Sequence, residues 1–169
     1  APTMQAAVRH TKGGIDLKSI QAQALLMGDE VHSRNAAATA LFFMQFATAL
    51  SATDTRQSMV KESLEFISRT SQFFLNLSMV ASKAIMDSAH GIEYSSVVTA
   101  TARNGTTTAL RVSGLGKDWF QAPSDQPVGL FFPGFKQDDA NPDLGDSAIC
   151  ETAGYGGFLL AASPALTLL

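Results

Sequence analysis

A chain of 169 residues is long enough for one ordinary domain, or for a helical layer and a small sheet sharing a core. Hydrophobic residues make up 46% and charged residues only 16%, below the usual quarter, so part of the surface is expected to lie against further chain, another copy or a partner subunit. A formal net charge of −3, with no Lys/Arg cluster, excludes a nucleic-acid partner, whose backbone demands a basic footprint.

The chain opens APTMQAAVRH and closes FLLAASPALTLL, which reads as a piece of a larger polypeptide with residues 1–14 as a flexible or truncated lead. The single cysteine, Cys150, cannot form an internal disulfide, which fits a reducing cytoplasm. The longest apolar run, AAATALFFMQFATAL, is too short to cross a bilayer and is broken by Gln45, and no signal peptide shows. A soluble, cytoplasmic protein with no membrane partner is expected.

The first half reads as helix. Asp16 is a candidate N-cap for a stripe of Leu17, Ile20, Ala24 and Met27 that Gly28 stops. A long second helix is expected over 29–50, buried on most sides through Leu41, Phe42, Phe46 and Leu50. A third spans 56–68 on the stripe Met59, Val60, Leu64 and Ile67. A fourth covers 72–89, with Phe73, Leu77, Val80, Ala84 and Asp87 a turn apart. Residues 15–91 thus form a helical bundle.

The period then changes. SVVTATARNGTTTALRVSG is two alternating β-branched runs around Asn104-Gly105, a hairpin signal over 97–112. With those two residues as the turn, Arg103 faces Thr106 and Val98 faces Arg111. VGLFF reads as another strand, PGFKQDDANPDLGD as a loop, and helical spacing returns from about Ser147. The expected fold is α+β: an N-terminal helical bundle, then over 92–169 a small, mainly antiparallel sheet with a β-hairpin and a C-terminal helix.

Three stretches carry candidate chemistry. In GDEVHSRN, Glu30 and Arg34 lie four apart and Asp29 and His32 three apart, so each pair can meet on a helix surface. One reading is a capped, solvated first turn. The other is a polar cluster at the mouth of a buried helix, with His32 as acid/base and Arg34 as an anion anchor. His10, His32 and His90 stand far apart, and no His-x-x-x-His or Cys pair exists, so no metal site is expected.

On the hairpin, Arg111 sits among Val98, Ala100 and Ala109, small neighbours that leave room above it. A guanidinium there wants a carboxylate or phosphate, from the protein or from a ligand. Ser113, Gly114 and Gly116 follow in a turn that can present backbone N–H groups to the same anion. Trp119 occupies the place of the third glycine in a dinucleotide fingerprint, and no P-loop spacing precedes Lys117, so no nucleotide cofactor is expected. The alternative is an Arg satisfied by a buried carboxylate, with the glycines as a plain turn.

In NPDLGDSAICETAGYGG, residues 141–157, Asp146 or Ser147 caps a helix whose first N–H groups suit an anion, with Glu151 one turn on. Gly154, Gly156 and Gly157 each cost about 1 kcal/mol against alanine inside a helix. The stripe Ala153–Gly157–Ala161 therefore implies a closely approaching backbone or ligand. Cys150 lacks a nearby base and reads as a buried small hydrophobe.

The phrases GIDL, MGDEVHSRNAAA, QFFLNLSMVASKAIMD, RNG, RVSGLGKDWFQAP, GLFFPGF and ANPDLGDSAICETAGYGG, taken in order, resemble the C-terminal part of the bacterial YlbE-like proteins, a domain-of-unknown-function family. The resemblance implies a longer chain with an N-terminal region, and a place beside an acyl-CoA-synthetase-like protein in purine and allantoin breakdown. It further implies a subunit of oxamate carbamoyltransferase, which splits oxalurate with phosphate into oxamate and carbamoyl phosphate. The Ser-Thr-Arg-Thr phosphate motif of ordinary carbamoyltransferases is absent. Under that implication Arg111, Asn104, Ser113, Gly114, Gly116, Asp146, Ser147 and Glu151 would bind substrate and His32 would move protons, without metal or cofactor. The expected partners are a small anionic substrate, phosphate and other subunits in a homo- or hetero-oligomer. The competing reading is a non-catalytic scaffold whose apolar helices and glycine stripe serve assembly.

Overall fold

A computed structural model describes residues 2–162. Among them, five helices come first: α1 (Pro2–His10), α2 (Leu17–Leu26), α3 (Ala36–Ser51), α4 (Gln57–Ser68) and α5 (Phe74–Ser88). Strands β1 (Val98–Asn104), β2 (Thr107–Val112), β3 (Phe120–Pro123) and β4 (Leu144–Gly145) follow, and then the short α6 (Ala148–Thr152). The sheet order is β3-β2-β1-β4 and every pairing is antiparallel, so the fold is α+β as expected. The chain divides into a helical unit, residues up to 81 together with those from 154 on, and a sheet unit, Ser82–Ala153. Among the described residues no helix is long and apolar enough to cross a membrane.

In the helical unit, Asp16 caps α2 by accepting the Ser19 N–H at 3.1 Å, and Gly28 follows the helix in a left-handed conformation, φ +100°. α3 buries Ala38, Phe42, Phe46 and Leu50, a stripe at i, i+4 spacing. Phe42 stacks on Phe46 and Phe73 at 5.6 Å and meets Phe74 at 6.3 Å, which makes it the hub of the core. α1 forms within the stretch expected to be a flexible lead, and its Ala7 is buried in the same core.

Three expectations are corrected here. The long helix expected from 29 begins only at Ala36, because residues 29–35 form a loop. Val31 takes φ +62° while fully buried, a conformation that costs a β-branched residue about 1–3 kcal/mol. It is held there by its N–H to Arg34 O at 3.0 Å and by Ser78 Oγ donating to its carbonyl at 3.0 Å. The loop folds Asp29 back over the start of α3, where its carboxylate accepts the Ala38 N–H at 2.8 Å. On α5 the buried positions are Phe74, Ser78, Ser82 and Met86; of the expected stripe, Phe73 and Leu77 pack partly buried against the core while Val80 is exposed. Ser78 can be buried there because its hydroxyl serves Val31 and accepts from Gln21 Nε2. The helix expected from Ser147 stops at Thr152, and a 3-10 segment over Gly156–Ala162 follows Gly154, φ +93°. The tail beyond 162 lies outside the described residues.

In the sheet unit the hairpin forms with its turn one residue later than expected. Arg103 pairs with Thr108, not Thr106, so the turn residues are Gly105 and Thr106. Gly105 takes φ +83°, the conformation that the first central place of a primed turn needs. Asn104 Oδ1 sets the turn by accepting from the N–H groups of Thr106 and Thr107 at 3.0 and 2.7 Å. From Ala100 to Arg111 a shift of two residues in the pairing leaves the side chains on their expected faces, and Arg111 lies opposite Ala100 rather than Val98; an irregularity between Val98 and Ala100 pairs Val98 with Val112 instead. VGLFF is not a strand; β3 is the earlier FQAP, and Leu130 is fully exposed at 105%.

Candidate functional site

The sheet unit builds its most unusual group around Arg111. β2 carries this residue in among alanines, and the pairing of Leu110 with Phe120 brings the preceding residue, Trp119, alongside it. The guanidinium lies over the indole ring, 5.5 Å from its centroid. Its side chain is only 19% exposed, yet it makes no hydrogen bond to any described residue, and its Nε is buried without a partner. The nearest carboxylate is Asp87, in the last turn of α5, with Oδ1 at 3.9 Å from Nη2, beyond hydrogen-bond reach. Asp87 is held instead by Lys83, one turn back, whose ammonium donates to both carboxylate oxygens. That bond holds the Asp87 carboxyl below the usual carboxylate range, with the charges of Lys83, Arg111 and His90 adding to it. His90 Nδ1 lies 2.9 Å from Thr99 Oγ1.

The turn after Arg111 serves the protein's own backbone. Ser113 is fully buried; its hydroxyl donates to Ala89 O at 2.6 Å and accepts the Ile92 N–H at 3.2 Å. The Ser113 N–H bonds Val97 O at 2.8 Å and the Gly114 N–H bonds Ser95 O at 2.9 Å. These two amides are therefore engaged within the unit, and they fix the end of β2 that carries Arg111. Gly116, φ +68°, closes the turn. A Cβ on Gly114 would stand 2.8 and 2.9 Å from the Ser95 backbone O and N. Gly114→Ala is accordingly expected to destabilise the protein by about 1–3 kcal/mol, read as a lower urea midpoint with unchanged slope. An unshifted midpoint would mean that the segment around Ser95 yields without cost.

Near the hairpin tip lies a cavity of about 430 Å³ whose lining includes Arg103, Asn104, Gln121, Gly145 and Asp146. It thus collects two of the expected substrate-binding residues, Asn104 and Asp146. Arg103, which no local pattern singled out, is its cation. Its Nε is 3.2 Å from Asp143 Oδ2, and Nη2 donates to Glu151. Glu151 is thereby a protein ion-pair partner, and Arg103 is flanked by two carboxylates where Arg111 has a single distant one. Gly145 admits this clamp, since a Cβ there would stand 2.6 Å from Arg103 Nη2. Ser147 is buried, and its hydroxyl donates to Asp146 Oδ1 at 3.2 Å. α6 is only five residues long, with Ser147 at its N-cap position but without a side-chain cap bond. Cys150 is fully buried, as its reading as a small hydrophobe implies.

His32 belongs to the helical unit, half-buried in the 29–35 loop, with Nδ1 3.4 Å from Ser33 Oγ. Neither spaced pair forms as the sequence suggested. Glu30 accepts the backbone N–H of Arg34, and Asp29 is spent on α3. Gly156 seats against this loop: its N–H bonds Glu30 O at 2.9 Å, and a Cβ there would come within 3.2 Å of His32 Nδ1. The close approach expected of the glycines is therefore a backbone contact at Gly156, while Gly157 faces open space. Among the described residues no cluster of His, Cys, Asp and Glu has a metal-binding arrangement.

The chain is similar to known proteins over nearly its whole length. A family model described as "Oxamate carbamoyltransferase subunit AllG" matches residues 1–147. The oxamate carbamoyltransferase subunit AllG of Escherichia coli (strain K12) is 48% identical over 166 residues, covering 98% of this chain and 40% of that protein. The uncharacterized protein YahG of the same organism is 46% identical over 157 residues, covering 93% of this chain and 33% of the relative. A crystal structure of a conserved protein of unknown function from Enterococcus faecalis V583 superposes with a TM-score of 0.86 at 40% identity, over 98% of this chain and 40% of the other. The chain thus spans well under half the length of the relatives it matches.

Proposed function

We propose, from the premise that the chain belongs to the oxamate carbamoyltransferase subunit AllG family, that it forms part of a carbamoyl-transferring enzyme subunit whose anionic substrate is anchored by Arg111. In the reaction proposed, a phosphate oxygen attacks the terminal carbamoyl carbon of oxalurate. The bond from that carbon to the inner nitrogen, the one shared with the oxalyl carbonyl, breaks, and that nitrogen leaves with a proton as oxamate. Such a step needs positive or N–H groups for the carboxylate, for the phosphate and for charge developing on the carbonyl oxygen.

The observation that carries the reading is Arg111 itself. A largely buried guanidinium with no hydrogen bond from the described residues is costly to keep, and an arriving oxyanion supplies the missing acceptors. Asn104 and Asp146, at the cavity by the hairpin, are proposed as further substrate contacts. Ser113, Gly114 and Gly116 position Arg111, and Ser147 and Glu151 hold Asp146 and Arg103. The decisive measurement is phosphate-dependent formation of carbamoyl phosphate from oxalurate by the full-length protein with its partner subunits. No product under phosphate saturation would remove the proposal.

Proton transfer to the leaving nitrogen is assigned to His32, as a separate claim from the anion anchor. His32→Gln is expected to lower kcat by about 10²-fold or more with little change in KM. An unchanged kcat would show that His32 carries no proton. The exposed apolar loop around Val128, Leu130 and Phe132 favours a second reading, a scaffold that meets other subunits through this loop. Full activity in Arg111→Ala would leave the scaffold reading in possession.

A further inference from the structure

The surroundings of Arg111 discriminate among oxyanions. Lys83 and Arg111 are two cations against one carboxylate, Asp87, which leaves a formal excess of one positive charge and suits a monoanion. Trp119 covers one face of the guanidinium and Nε is buried, so a ligand can meet only the edge that carries the Nη atoms. Beside that edge stands Asp87 Oδ1, at 3.9 Å from Nη2. Donor and acceptor do not bond each other there; they stand side by side.

Asp87 is half exposed, at 51%, and a carboxylate oxygen can accept a further N–H while keeping its bond from Lys83. A ligand fitting both groups must put an acceptor on Arg111 and a donor on Asp87 from adjoining atoms. Inorganic phosphate brings like charge against Asp87 and can bond it only through a protonated oxygen. A carboxylate whose neighbouring carbonyl bears an amide or ureido nitrogen offers both.

We propose that Asp87 is a specificity residue of the Arg111 site, accepting an N–H from the ligand's amide or ureido group while Arg111 holds the ligand's carboxylate. The inference rests on the carbamoyl-transfer reading for the class of ligand, an α-oxo amide acid such as oxamate. It assigns Asp87 a role in recognition only, with no part in bond making.

The test follows Trp119, the one tryptophan in these 169 residues, by fluorine NMR of full-length protein labelled with 5-fluorotryptophan. The Trp119 resonance is identified by its loss in Trp119→Phe. Oxamate, pyruvate and inorganic phosphate are titrated at constant ionic strength; pyruvate keeps the oxo acid and has a methyl group in place of the amide NH2. Wild type is expected to bind oxamate at least about tenfold more tightly than pyruvate, as a charged hydrogen bond would require. Asp87→Ala is expected to bring the two within about twofold, while Arg111→Ala abolishes both. Asp87→Asn, which keeps the size of the side chain, is expected to fall between. A preference for oxamate that survives Asp87→Ala overturns the inference, as does a Trp119 response to phosphate alone or to none of the three ligands. Carbamoyl phosphate formation, assayed on the same samples, separates the two claims. Turnover without Asp87-dependent selectivity defeats this inference alone. Selective binding without turnover defeats the functional reading alone.

Discussion

Arg111→Ala is expected to lower kcat/KM for carbamoyl phosphate formation by about 10²-fold while leaving stability unchanged or slightly raised. The size follows from the bonds a ligand would gain. Two charge-assisted hydrogen bonds at about 1.5 kcal/mol each amount to about 3 kcal/mol, or roughly two powers of ten in rate. The sign of the stability effect follows from what the guanidinium lacks. It makes no hydrogen bond to the described residues and has one carboxylate at 3.9 Å, so its removal relieves a desolvated charge and gives up mainly the stacking on Trp119. Arg111→Lys keeps the charge but loses the planar fork, and is expected to recover only part of the activity. A structural arginine behaves in the opposite way. Should Arg111→Ala unfold at a markedly lower urea concentration with activity per folded molecule intact, the anchor assignment is wrong.

The largest expected stability effect lies in the helical unit, at Phe42. This ring is 2% exposed and touches three others, Phe46, Phe73 and Phe74. Truncation to alanine leaves a void that α3 and α5 cannot both close, and a loss of about 3–5 kcal/mol follows, including the ring–ring contacts. Against a total stability of about 5–15 kcal/mol that is enough to leave the unit marginal at physiological temperature. Phe66 provides the control: it packs edge-on against Phe73 but is 61% exposed, and its truncation is expected to cost under about 1 kcal/mol. Equal effects of the two substitutions on the urea midpoint would show that the Phe42 cluster is not the hub of the core.

Much of the architecture was legible because local chemistry and tertiary packing agreed. α2 begins at the Asp16 cap and is followed by Gly28; α3 buries the Ala-Phe-Phe-Leu stripe; the hairpin folds at Gly105. Departures occur where a remote partner outweighs a local preference. Residues 29–35 have helical spacing, but buried Asp29 and Glu30 find their acceptor roles only if Val31 turns left-handed. The hairpin turn moves by one residue because the Asn104 side chain binds the turn amides from its edge instead of sitting in its centre. α5 buries Ser78, since its hydroxyl meets a carbonyl that lies 47 residues away in sequence.

The candidate site divides the same way. Arg111 was legible from its small strand neighbours, because alternation in a strand settles which residues share its face. Arg103 was not, since its partners Asp143 and Glu151 are 40 and 48 residues away and no spacing rule reaches that far. Trp119 and Asp87 were read separately, one as a missing glycine and the other as the end of an apolar stripe. Periodicity, capping and turn residues by themselves determined the class of the fold, the helices α2 to α5 in outline, the hairpin and the presence of one arginine on a small-residue face. Only the tertiary structure decided which charges are neutralised by close partners and which lack a hydrogen bond among the described residues, because burial and ion pairing depend on distances between residues the chain keeps far apart.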